Sequence, residues 1–243
     1  MSRKYESSPI IEAICEFQFE PDPSWDFTIL GLVYDKIKDK FPIRNQVAQI
    51  NAAIAGNVNA AQIDAIPLMQ FLQENRNTLV QVGQNLLTIN QLSPYTSWDK
   101  FQPYIKESLQ AYSEVVTARQ IRRVALRYIN RVILKQGIKL EEYFNFRPTF
   151  DQGFPEEFRS FIVGVQIPRD ASGGIANLQL GTMDTDDPDS TAVLMDISFV
   201  LSQPEEIESG NVLERINTAH DQIEDIFEAC ITDKLRQEFK EVM

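Results

Sequence analysis

Arg122-Arg123-Val124-Ala125-Leu126-Arg127-Tyr128-Ile129-Asn130-Arg131-Val132-Ile133 decides how this chain folds. β-branched and aromatic residues dominate it, and side chains on a strand alternate between faces, so it reads as a β-strand over 121–134. Val124, Leu126, Tyr128 and Val132 share one face, which is a core face. Arg123, Arg127 and Arg131 share the other, with Ala125 and Ile129 as spacers. Three arginines in a row, in a chain of net charge −12, need a partner inside the protein or outside it.

A second alternating stretch precedes it. From Glu12 to Glu20, Ala13, Cys15, Phe17 and Phe19 take one face, while Glu12, Glu16 and Glu20 with Gln18 take the other. Pro21 and Pro23 end this strand. Ser24 reads as the N-cap of a helix with a stripe of Phe27, Leu30, Tyr34, Ile37 and Phe41, closed by Pro42. Strands follow near 45–54 and 68–74, Asn75-Arg76-Asn77 reads as a hairpin turn, and 78–91 holds one or two more strands. Thr96-Ser97 opens a helix with Ile105, Leu109, Tyr112 and Val116 on its stripe, where Pro103 predicts a kink or a late start.

After the arginine strand, 139–147 is a short helical or irregular segment and 148–159 a loop rich in Pro, Phe and acid. Strands are expected at 160–167, 175–183 and 191–201, with Gly173-Gly174 as a turn. The last strand points Val193, Met195, Ile197, Phe199 and Leu201 inward, and Asp196 and Ser198 outward. A long helix from about 208 carries Val212, Ile216, Ala219, Ile223, Ile226 and Cys230. Thr232 caps a last short helix with Leu235 and Phe239.

Each half thus runs strand, helix, about three strands, long helix. The expected fold is α+β: one domain over 1–243, internally duplicated as 1–118 and 119–243, with an antiparallel sheet and helices on one face. The TATA-binding-protein saddle and the sliding-clamp half-ring are architectures of this kind, an analogy that carries no function.

Composition narrows the function. Hydrophobic residues at 43% and charged residues at 24% are globular values. With 35 acidic against 23 basic residues, a nucleic acid is a poor partner, since its binders need a basic face to displace counterions. The acidic balance also disfavours anionic membranes. No apolar stretch approaches the ~18 residues of a membrane span, and no apolar run follows Met1 to Glu6, so neither a span nor a signal peptide is expected. The expected compartment is the cytoplasm.

Pro9-Ile10-Ile11-Glu12-Ala13-Ile14, Phe41-Pro42, Trp98-Asp99-Lys100-Phe101, Leu126-Arg127-Tyr128-Ile129-Asn130-Arg131, and Phe227 followed by Ile231-Thr232-Asp233 form a collinear set. On these pieces the chain resembles a sporadically distributed bacterial family of about this length, of unknown function. The resemblance implies no activity. Patchy distribution implies a gene travelling with mobile or defence loci, beside a toxin.

Glu12, Glu16 and Glu20 repeat every four residues, as the arginines do, or ~13 Å at ~3.3 Å per residue. Side by side, the two strands would form a ladder of Glu12, Glu16 and Glu20 against Arg123, Arg127 and Arg131, each pair contributing ~0.2–1 kcal/mol. Alternatively, Arg123, Arg127 and Arg131, with Asn130 and Asp196 nearby, would hold an anionic ligand through guanidinium forks.

Asp184-Thr185-Asp186-Asp187-Pro188-Asp189-Ser190 begins like a calcium loop but has Asp189 at the glycine position and Met195 at the bidentate glutamate position, so it reads as an acidic turn. His220 is the only histidine, which leaves it a packed or boundary residue, and Cys15 and Cys230 read as small buried hydrophobes. No nucleophile elbow or phosphate-binding glycine loop occurs. Phe17, Phe19, Tyr128 and Phe199 all fall on apolar faces, which leaves the opposite sheet face polar and unlike a base-stacking platform.

The leading expectation is a non-enzymatic binding protein, without cofactor or metal, that engages a protein partner, antitoxin-like or immunity-like, or its own copy as a homo-oligomer. The alternative is a sensor or enzyme that binds an anionic small molecule or nucleic acid on the arginine-bearing face.

Overall fold

The computed structural model describes residues 3–52, 63–116, 120–135, 137, 139–151, 160–169, 173–183, 185–201 and 211–242. In chain order the elements begin with β1 (Lys4–Tyr5), β2 (Ile10–Phe19), α1 (Thr28–Ile37), β3 (Ile43–Ala52), β4 (Ile63–Leu72), β5 (Thr78–Gly83) and β6 (Leu86–Leu92). Next come α2 (Trp98–Val115), β7 (Ile121–Lys135) and the one-turn 3-10 helix η1 (Leu140–Glu142). The chain continues with β8 (Ile162–Arg169), β9 (Gly174–Met183), β10 (Ser190–Leu201), α3 (Val212–Cys230), α4 (Asp233–Phe239) and β11 (Glu241–Val242). This is a mixed α+β fold with an antiparallel multistranded sheet and helices.

Two compact units share the chain. Unit I comprises Cys15–Gln91 and Ser97–Arg123; unit II comprises Met1–Ile14, Leu92–Thr96 and Val124–Met243. In unit I the strand order is β3-β4-β5-β6-β2. The start of β7 flanks β2 there, with the Glu20 amide donating to the Gln120 carbonyl at 2.9 Å. In unit II the order is β7-β10-β9-β8, and the Arg131 amide donates to the Pro9 carbonyl at 2.9 Å.

Helices cover one face in each unit. In unit I the Tyr34 ring of α1 lies 5.2 Å from that of Phe71, and the Tyr112 ring of α2 stacks on Phe19 at 4.6 Å. In unit II, α3 packs against β10 and brings His220 against Tyr128. All six expected residues of the α3 stripe are buried, as are Val193, Met195, Ile197, Phe199 and Leu201 of β10. Each large apolar side chain so buried stabilises the fold by ~1.5–3 kcal/mol. Cys15 and Cys230 are buried too, and burial pushes the Cys230 thiol up to about 11. Thr232 caps α4, its hydroxyl accepting from the Leu235 amide at 3.4 Å.

Several expectations need correction. Ser24 caps no helix: its amide and hydroxyl both donate to Asp22 Oδ1, and α1 starts four residues later, where Asp26 Oδ1 accepts the Thr28 amide. The later start rotates the stripe, so Ile29, Val33 and Ile37 are buried with Phe41, while Phe27 is 64% exposed. Pro103 does not delay α2, which begins at Trp98 with the proline inside it. Four strands, β3 to β6, lie between α1 and α2, the upper end of the three or four expected there. The start of the long helix near 208, Asp184 of the acidic turn and residues 152–159 of the acidic loop lie outside the described residues.

The largest correction concerns the sheet face away from the helices. In unit I, Leu72 and Leu79 pair in register on that face and are 7% and 5% exposed. Thr88 and Asn90 on the same face are buried as well. A solvated polar face is therefore not what β5 and β6 present.

Candidate functional site

β7 positions the arginines. Its burial alternates from Leu126 onward, with Leu126, Tyr128, Asn130, Val132 and Leu134 inside and Arg127, Arg131 and Ile133 exposed. Arg127 and Asp196 form a bidentate pair, Nε donating to Oδ1 at 2.8 Å and Nη2 to Oδ2. Asp196 stands opposite Ile129 and Ser198 opposite Arg127, so the pair reaches diagonally across the strands. The fork geometry suits a carboxylate, but half-exposed side chains and solvent screening hold its contribution to ~0–1 kcal/mol.

In unit I, Arg123 Nη1 donates to Glu16 Oε1 at 2.5 Å, and Gln18 Nε2 donates to the same oxygen at 2.9 Å. Of the six ladder residues, the structure thus pairs Glu16 with Arg123. Arg127 turns to Asp196 instead, and Glu12 and Glu20 are half-buried on β2 and in the residue after it. The Arg131 guanidinium has no ion-pair partner among the described residues. Asn130 is not with the arginines: it is 2% exposed on the opposite face, and its Nδ2 donates to the Met195 carbonyl at 3.1 Å. The even parity of position 130 carried this signal, since Tyr128 and Val132 share it.

Around Arg127 and Asp196 runs a chain of amides. Gln166 Nε2 donates to Asn177 Oδ1 at 2.9 Å, and Asn177 Nδ2 to Ser198 Oγ at 3.3 Å. Unit I carries a counterpart, Gln70 Nε2 to Gln81 Oε1 and Gln81 Nε2 to Asn90 Oδ1, both at 2.9 Å. Sequence reading did not find these rows, because cross-strand neighbours follow from register, which a single chain does not state.

Behind β7, the hydroxyl of Tyr128 and Nδ1 of His220 are hydrogen-bonded at 2.9 Å, while His220 Nε2 lies 3.2 Å from Glu224 Oε1. Ligand atoms of His220, Asp221 and Glu224 all lie within 4.8 Å of one another. Both ring nitrogens of His220 already have partners, which makes this a satisfied polar contact under α3. The acidic turn is also occupied internally. Asp187 accepts from the Asp189 amide at 3.0 Å and the Ser190 hydroxyl at 2.7 Å, and these bonds hold its carboxyl below the usual range.

No helix among the described residues is long and apolar enough to cross a membrane. A scan against protein-family models and a search of curated proteins returned no match.

Proposed function

We propose that this chain is a non-enzymatic binding protein that engages another protein through the face of the unit II sheet opposite α3. One observation carries the reading. Register puts Ile133, Ala192 and Met183 in a row across β7, β10 and β9, with Ile133 50% and Met183 44% exposed on either side of the buried Ala192. The adjoining row is Arg131, Leu194 and Gly181. An exposed apolar patch beside an exposed arginine without an ion-pair partner among the described residues suits a protein surface that offers an apolar side chain next to a carboxylate. Arginine is among the residues enriched in such contacts.

The anion-binding reading has less support. Arg123 and Arg127 are each neutralised by a carboxylate, Asp196 would repel an anion, and Asn130 faces the other way. Among the described residues, catalysis has no constellation behind it beyond the occupied contacts of His220. Cytoplasmic residence, membership of the sporadically distributed bacterial family and an antitoxin-like or immunity-like role in a defence locus belong to the proposal, and the collinear pieces from Pro9-to-Ile14 to Ile231-to-Asp233 support the family membership. An internal duplication is supported by the corresponding amide rows, β4-β5-β6 with Gln70, Gln81 and Asn90, and β8-β9-β10 with Gln166, Asn177 and Ser198. The saddle architecture that goes with it is tested by small-angle scattering.

Gentle purification from the native host followed by native mass spectrometry tests the function. A stoichiometric second protein that Ile133→Asp abolishes is the expected result. Recovery of the chain with a bound small anion, or a partner indifferent to Ile133→Asp, overturns it.

A further inference from the structure

β8 ends the strand order of unit II, so one of its two hydrogen-bonding edges has no neighbouring strand among the described residues. The phase of that edge can be read. The Thr182 amide donates to the Phe161 carbonyl at 3.1 Å, one residue before β8 begins. In an antiparallel ladder, residues bonded to the neighbour alternate with residues whose N–H and C=O point away from it. Positions 163, 165, 167 and 169 therefore bond towards β9, while Ile162, Gly164, Gln166 and Pro168 aim their backbone groups at the free edge. Pro168 agrees with this phase, because it has no N–H and stands where no bond to β9 is lost.

A free edge is a template for another strand, and proteins usually blunt it with charge. Residues 160–168 carry no charged side chain at all. Two of the residues are apolar and open, Ile162 at 72% and Val165 at 41% exposed. A chain of net charge −12 repels its own copy over most of its surface, so self-association favours a surface without acids. This edge is such a surface, and Arg169 closes it with a positive charge.

We propose that β8 pairs antiparallel with β8 of a second copy of this chain, about a two-fold axis at Gly164. The run Ile162-Val163-Gly164-Val165-Gln166 is nearly palindromic about that glycine. Gly164 then meets itself, Ile162 meets Gln166 of the second copy, and Val163 meets Val165. Three outward pairs exchange roughly six backbone hydrogen bonds. Val165 is covered by Val163 of the second copy, and Pro168 falls just beyond the paired run and ends it. A C2 contact of this kind is isologous and closes, so the free edge is used up instead of propagating. Ile162 stands beside Gly181 at the far end of the row that begins with Arg131, but the pairing uses the backbone edge of β8 and not the Ile133 and Met183 side chains, so Ile133→Asp should leave this dimer intact while abolishing the protein partner.

Sedimentation velocity on the full chain, with concentration raised to about 100 µM, reads the association by mass action. The wild type should form a dimer. Ile162→Lys with Gln166→Lys sets lysine against lysine at both outer pairs and should weaken the dimer at least about tenfold. Ile162→Lys with Gln166→Glu sets lysine against glutamate and should restore it. Within one chain the two side chains are ~13 Å apart and do not pair, so the rescue reports the register across the axis. Hydrogen exchange on the wild type gives an independent reading, with the amides of Ile162, Gly164 and Gln166 slowing as concentration rises. A monomer at the highest concentration, a dimer with these amides unprotected, or a lysine–glutamate variant that stays monomeric overturns the proposal.

Discussion

Strands β5 and β6 of unit I and strands β9 and β10 of unit II use similar residues, yet they are buried differently. In β10, Val193, Met195, Ile197, Phe199 and Leu201 are at most 2% exposed, while Leu194, Asp196, Ser198 and Val200 are half-exposed. In β5, Val80 and Val82 are fully buried under the helices, and Leu79 on the opposite face is only 5% exposed. Both units carry a row of hydrogen-bonded amides on the face away from the helices. In unit I that row ends in the buried Asn90; in unit II it ends in the half-exposed Ser198. One strand pattern therefore serves two settings, with the second face buried at Leu79 and Asn90 in unit I and half-exposed at Asp196 and Ser198 in unit II.

The sharpest break in this comparison is a pair of truncations. Leu79→Ala should cost about 2–5 kcal/mol in denaturant unfolding, as any buried leucine does, although it sits on the face away from the helices. Met183→Ala, on the corresponding face of β9 and 44% exposed, should fall within about 0.5 kcal/mol of wild type. Equal costs would mean that the two faces are equally covered.

Glycines give the next contrast. Gly174 opens β9, and a Cβ there would lie 2.7 Å from Phe199 Cζ and 2.9 Å from the Val200 carbonyl oxygen. Phe199 is fully buried and has nowhere to go, so Gly174→Ala should destabilise by about 1–3 kcal/mol. Gly31 sits exposed inside α1 with nothing within 4 Å of a Cβ. Gly31→Ala should instead raise stability by about 0.5–1 kcal/mol, since alanine loses less backbone freedom in a helix. Thermal unfolding of the two variants checks the opposite signs, and a stabilised Gly174→Ala would show that the Phe199 ring yields.

These contrasts mark what the sequence could say. Alternation in β2, β7 and β10 was legible because charged and polar residues recur there at every second or fourth position between apolar ones, and the α3 stripe because its spacing is helical over five turns. The start of α1 was misread because Ser24 and Asp26 are both competent near a helix start, and the choice lies with backbone geometry. Leu79 next to Val80, and Leu72 next to Phe71, broke the alternation of β5 and β4 and were signs of a second buried face. The partners of Arg123 and Arg127 were the hardest to foresee. Repeats of four on two strands make a ladder arithmetically attractive, but a carboxylate one strand over on the other side, Asp196, competes for the same guanidinium.

The smallest predicted effect decides what that competition means. Arg127→Ala and Asp196→Ala, singly and together, form a double-mutant cycle across a bidentate pair whose side chains are 45% and 24% exposed. Screening by solvent puts the coupling at ~0–1 kcal/mol, falling further as salt is added. The comparator is Arg123 with Glu16, at 34% and 27% exposure and braced by Gln18, where the coupling should be somewhat larger. Both cycles are read by denaturant unfolding at low and high ionic strength. If removing Arg127 leaves stability untouched while an associated protein is lost, the pair belongs to a binding surface. If coupling is measurable and no association changes, Arg127 and Asp196 hold β7 to β10, and the exposed apolar row beside Arg131 carries recognition by itself.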